Sequence, residues 1–94
     1  MFRSFNNSGF HIKFDNGVTV SVQFGFGNYC ENHFKAKTLN SEEFVESSDA
    51  EVAIWDDEGN WITGKYFENI NDVVVGHVKP DVIPELLIWA SKRG

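Results

Sequence analysis

Residues Phe10 to Phe24, FHIKFDNGVTVSVQF, decide how this chain folds. Phe10, Ile12 and Phe14 alternate with His11 and Lys13, and after Asp-Asn-Gly, Val18, Val20, Val22 and Phe24 alternate with Thr19, Ser21 and Gln23. A period of two marks strands with one apolar face, and two such runs around a turn make a β-hairpin. The pattern also selects the register. A two-residue Asn-Gly turn would set Phe14 opposite Thr19, yet cross-strand partners share a face. A three-residue loop, Asp15-Asn16-Gly17, instead pairs Phe14 with Val18, Ile12 with Val20 and Phe10 with Val22. Gly17 then takes the left-handed position of a G1 bulge, which a residue with a Cβ enters only at a cost.

The same logic applies to Glu51–Lys65, EVAIWDDEGNWITGK. With Asp57-Glu58-Gly59 as the loop, Ile54 pairs with Ile62 and Val52 with Gly64 on one face. On the other face Trp55 meets Trp61, Ala53 meets Thr63, and Glu51 meets Lys65. The indole pair lies away from the Val/Ile row. It reads either as a cross-strand pair that stabilises the hairpin or as an apolar wall for a ligand.

Downstream, Val73–Val78, VVVGHV, has the β-branched character of a strand, and Lys79-Pro80-Asp81 ends it. Ile83, Leu86, Leu87 and Ala90 then fall at i, i+3, i+4 and i+7, the mark of a helix with one buried face. Asp81 is the expected N-cap, which puts Pro84 in the first turn where its missing N–H does no harm. Lys92 and Arg93 suit the negative end of the helix dipole. Between the hairpins, Asn40-Ser41-Glu42-Glu43 either caps a short helix through Phe44 and Val45 or forms a polar loop with an edge strand. The expected fold is α+β: an antiparallel sheet of about five strands, from two Asp-x-Gly hairpins plus one strand, with a C-terminal helix packed on one face. Ile12, Val20, Val22, Ile54, Ile62, Ile83, Leu86, Leu87 and Ala90 are its expected core. The 94 residues suit a single domain spanning 1–94, large enough to fold without staples.

Composition narrows the function. A net charge of −6 argues against direct nucleic-acid binding, because such a surface repels phosphates. An acidic protein can still compete with nucleic acid for a basic partner. A lone cysteine excludes an internal disulfide and fits a reducing cytoplasm. No apolar run has the length of a signal peptide or a membrane span, so no membrane partner is expected. Aromatic residues make up 15 % of the chain, which means either a ring-rich core or rings kept on the surface as contacts.

Chemistry concentrates in Gly25–His33, GFGNYCENH, where periodicity stops. Cys30 and His33 have a C-x2-H spacing, but structural zinc takes four ligands and the chain has one cysteine, so no metal or cofactor is expected. Cys30 with a histidine would need a third, orienting residue to work as a nucleophile, and none is in view. No enzyme is expected. Gly25-x-Gly27 lacks the third glycine of a dinucleotide fingerprint; it is either an anion-holding concavity or a bulged turn. The candidate ligand-binding residues are Gln23, Gly27, Asn28, Tyr29, Asn32, Trp55, Trp61 and Lys65. Gly27 lets the backbone approach a ligand, and the Gln23, Asn28 and Asn32 amides supply donors and acceptors. Tyr29 offers a ring with a hydroxyl, the two indoles a wall, and Lys65 the cation an anionic ligand needs. Asn28 and Asn32 could equally satisfy backbone groups of their own turn.

Taken together, VSVQFGFGNYCEN, SSDAEVAIWDDEGNWIT and VVVGHVKPDVIPELLIWA resemble a family of small accessory proteins of tailed bacteriophages. The resemblance covers about residues 9–90, and its most specific part is Gly27-Asn28-Tyr29-Cys30 with Asn32. It implies a non-enzymatic protein made in the cytoplasm of a bacterial host. Its expected role is anti-defence, by binding a small, nucleotide-derived ligand. The alternative it implies is an acidic inhibitor, a nucleic-acid mimic or anti-CRISPR-like protein, whose partner is a host defence protein. Assembly into a homo-oligomer is compatible with either reading.

Overall fold

The computed structural model describes residues 1–5, 9–24, 47–68 and 72–93. Its sheet is antiparallel throughout, with strands in chain order: β1 (Phe2–Phe5), β2 (Gly9–Lys13), β3 (Thr19–Gln23), β4 (Ala50–Trp55) and β5 (Val74–Val78). A single helical turn, α1 (Thr63–Tyr66), lies between β4 and β5, and α2 (Val82–Ser91) follows β5. This is the α+β arrangement expected, a five-stranded sheet with a C-terminal helix. The expected Gly25–His33 turn and the helix or loop at Asn40–Val45 lie outside the described residues.

The first hairpin forms in the register its apolar pattern dictates. Phe10 faces Val22 and Ile12 faces Val20. The Phe14 N–H donates to the Val18 carbonyl at 2.9 Å and the Gly17 N–H to the Phe14 carbonyl at 2.9 Å. Gly17 has φ +87°, as a G1 bulge requires.

The second Asp-x-Gly turn also forms, with Gly59 at φ +84°, but the hairpin beyond it does not. Trp55 pairs with Trp61 in an isolated bridge, and the Ile62 N–H donates to the Ile54 carbonyl at 2.9 Å. There the pairing stops, because Thr63–Tyr66 turns into α1. The expected partnerships Val52–Gly64, Ala53–Thr63 and Glu51–Lys65 are replaced: Val52 faces Val75 and Ala53 faces Val74. A β-branched run fills that edge better than Thr-Gly-Lys, since its side chains pack on a pleated surface and glycine has none to pack. Thr63 seals the junction. Its hydroxyl accepts from the Ile54 N–H at 2.9 Å and donates to the Val73 carbonyl at 2.7 Å, so a buried side chain replaces the missing ladder.

The sheet reaches five strands through β1 instead, an N-terminal strand that the alternation does not announce. Its Phe2 and Arg3 face Ile12 and His11 of β2. At the other edge β5 is bulged between Val75 and Val78, opposite Val52 and Ala50 of β4, and there His77, not the preceding glycine, holds φ +56°. The His77 Nδ1 lies 3.2 Å from the buried Asp49 carboxylate, which Lys79 also approaches at 3.6 Å. These contacts anchor a conformation that β-substituted residues seldom adopt.

One face of the sheet carries the core. Val20, Val22, Ile54, Ile62, Leu86 and Ala90 are buried as expected. Ile12, Ile83 and Leu87 are only half-buried, while Val18, Ala50, Val52 and Val78 join the buried set. Asp81 occupies the N-cap position of α2 and Pro84 its first turn. The Asp81 side chain makes no cap bond, because the first free N–H groups are already served: Val82 donates to Lys79 and Ile83 to Pro80. At the far end the Arg93 guanidinium stacks over Trp89, 4.7 Å from the ring centroid.

Candidate functional site

Register places the polar half of each strand on the sheet face opposite the core. Two cross-strand rows result. Arg3, His11, Ser21, Ala53 and Val74 form one; Lys13, Thr19, Trp55 and Trp61 form the next. The rings interlock along these rows. His11 stands edge-on to Trp55 with centroids 5.1 Å apart, and Trp55 stands edge-on to Trp61 at 5.5 Å. Such T-shaped contacts use the ring quadrupoles favourably and hold each ring in place.

A cleft of about 200 Å³ opens beside this ladder. Trp55 and His11 are lining rings, Thr19 contributes a hydroxyl, and Arg3 and Lys13 bring positive charge. Met1 and Phe2 close the β1 side, and the Met1 amine donates to the Lys13 carbonyl at 2.8 Å. His11 is held below its ordinary pKa, first by burial and then by the Arg3 charge beside it. At neutral pH it is therefore an uncharged imidazole, able to donate from one nitrogen and accept at the other. Lys13 approaches Asp57 at 3.7 Å across solvent-exposed surface.

Asp56, on the same hairpin tip, is committed to its own turn. Its carboxylate accepts from the Glu58 and Asn60 N–H groups at 2.9 Å each and from the Asn60 side-chain amide. Those bonds from Asn60 are the chief cause of its lowered pKa, with Lys65 adding a smaller pull.

The residues singled out in the sequence fall in different places. Trp55 lines the cleft, and Trp61, 52 % exposed, braces it from behind. Gln23 shares their face but sits at the opposite end of β3, roughly 13 Å along the strand from Thr19. Its amide donates to the Ser21 hydroxyl at 3.3 Å. Lys65 is exposed on α1 and acts on Asp56, so the side-chain cations of the cleft are Arg3 and Lys13, beside the Met1 ammonium that is bonded to the Lys13 carbonyl. Gly27, Asn28, Tyr29 and Asn32 lie outside the described residues. His11 and Lys13 were not among the expected site residues, although the alternation in FHIKF sets both on one face; the register of β2, β3 and β4 makes it the face of Trp55. Arg3 carried no such signal, because nothing local marks β1.

Among the described residues, no group of three or more His, Cys, Asp or Glu side chains is placed to hold a metal ion, and no helix is long and apolar enough to cross a membrane. The described residues thus form an open antiparallel sheet with one face under a helix and a cationic, ring-lined cleft on the other. No protein-family model, curated protein or solved structure matches the chain.

Proposed function

We propose that this protein is a non-enzymatic binder of a small anionic ligand with a planar ring, held in the cleft between β1, β2 and Trp55. One observation carries the reading. In a chain of net charge −6, Arg3 and Lys13 converge on a single cleft whose walls are an indole and an uncharged imidazole. A ring stacks on such walls while an acidic group takes the cations, which is how small-molecule sites divide affinity from orientation. The resemblance to tailed-phage accessory proteins supports placing this binding in an infected bacterial cell. There, sequestering a nucleotide-derived signal would counter host defence. Mimicry of nucleic acid has less support, since the hairpin tip spends Asp56 on its own turn and sets Asp57 beside Lys13.

Native mass spectrometry of the protein recovered from infected-cell lysate tests the reading. A retained small molecule is expected on the wild type and should be lost in Arg3→Ala and Trp55→Ala proteins that keep their melting profile. Retention by both variants would place the ligand elsewhere, and a wild type with nothing bound would count against the reading.

A further inference from the structure

Asp57 has no part in the turn bonds that occupy Asp56, yet it is placed with care. A Cβ built on Gly17 would meet the Asp57 Cβ at 2.4 Å and its carboxyl carbon at 2.7 Å. The Asp57 side chain therefore lies directly on the Gly17 α-carbon, and the tip of the second turn rests on the first. This seat delivers the carboxylate to Lys13, 3.7 Å away, from outside the cleft: Lys13 lines the cleft, while Asp57 lines a neighbouring hollow with Asn16, Val18 and Arg93. Arg3 pairs with His11, two residues from Lys13, which makes the two cations diagonal neighbours roughly 7–8 Å apart at their α-carbons.

We propose that Asp57 is a built-in competitor for the anion of the cleft, displaced when a phosphate monoester binds between Lys13 and Arg3. The proposal rests on the binding reading above and adds the ligand's acidic group to it. Both members of the Lys13–Asp57 pair are well exposed, at 53 % and 71 % of their side-chain surface, so water and salt screen it and exchange is easy. A carboxylate on the ligand would only exchange one monoanion for another. A phosphate monoester carries nearly two charges at neutral pH and three acceptor oxygens, enough to bridge Lys13 and the guanidinium fork of Arg3 together. Seating on Gly17 keeps Asp57 within reach of Lys13, so a singly charged molecule competes for the lysine with a carboxylate of equal charge. The device selects for dianions.

Calorimetric titration of the full chain at low ionic strength tests this, with adenosine 5′-monophosphate as the probe and adenosine as its uncharged control. Asp57→Asn keeps the side-chain shape on Gly17 and removes the charge. It should bind the monophosphate three- to fivefold more tightly than the wild type, with adenosine unchanged. Glu58→Gln removes the same charge one residue further along the tip and should shift affinity by less than 1.5-fold. Equal gains in both variants would reduce the effect to overall charge and overturn the proposal. A wild type that binds the monophosphate while Asp57→Asn binds it no better also overturns the proposal, but leaves the cleft as the ligand site. Absence of binding by every form at millimolar probe would overturn the cleft reading itself. Thermal melting of each variant confirms that the comparisons are made on folded protein.

Discussion

Asn16, in the turn of the first hairpin, donates its side-chain amide to the carbonyl of Ala90, 74 positions later, at 2.8 Å. The same amide reaches the Arg93 carbonyl, while its oxygen accepts from the Val18 N–H at 3.0 Å. A helix C-terminus leaves its last carbonyls without partners, and here a residue from a distant turn caps them. One side chain thus shapes the hairpin loop and docks α2 on the sheet. Asn16→Ala should lower stability by about 2 kcal/mol, the sum expected for losing these part-buried hydrogen bonds. Asn16→Asp should be worse, since a carboxylate donates nothing and faces the negative end of the helix. Urea melts of the three proteins check the ranking; an aspartate variant as stable as the wild type would show that the cap contributes nothing.

The two turn glycines should respond unequally. Both have positive φ, which costs a residue with a Cβ about 1–2 kcal/mol. Nothing lies within 4 Å of a Cβ on Gly59, whereas one on Gly17 collides with Asp57. Gly59→Ala should cost about 1 kcal/mol and Gly17→Ala on the order of 2 kcal/mol or more. Thermal unfolding decides it, and equal losses would mean the second tip is not seated on the first.

Thr63 should behave as a structural residue despite its polar side chain. Thr63→Val keeps the volume but leaves the Ile54 N–H and the Val73 carbonyl without the hydroxyl that serves them, at a cost of roughly 1–3 kcal/mol. Thr63→Ser retains the hydroxyl and should lose less. Hydrogen exchange at Ile54 offers a local readout: its amide should exchange faster in the valine variant, and unchanged protection there would contradict the assignment.

Acid should weaken the fold in a window set by His11. Its folded pKa lies below the ordinary histidine value of about 6.5, so between the two values the unfolded chain binds more protons. Stability is then full above about pH 6.5, falls as pH drops through that value, and levels off below the folded pKa. Denaturant melts from pH 7.5 to 5 should show this slope in the wild type and a flatter one in His11→Gln. An equal slope in both would assign the effect to other groups.

Much of the sheet was legible because its rules are local. A period of two around Asp-Asn-Gly sets the register of the β2–β3 hairpin, since a one-residue slip would turn every valine to the wrong face. The helix from Val82 and the position of Pro84 follow from the same kind of counting. The face of Trp55 was legible too, because it follows from the turn that precedes Trp61.

What only the tertiary structure decided is which segment pairs with each edge. Trp61–Lys65 and Val74–Val78 compete for one side of β4, and the valine run takes it by offering more packable surface. Thr63 then becomes a buried hydroxyl instead of a cross-strand partner. β1 likewise exists through its ladder with β2, and with it comes Arg3, the cation that completes the cleft. Strand character is written in the alternation of side chains along one segment. Strand partnership is a comparison between segments far apart in the chain, and the packing that settles it exists only once they have met.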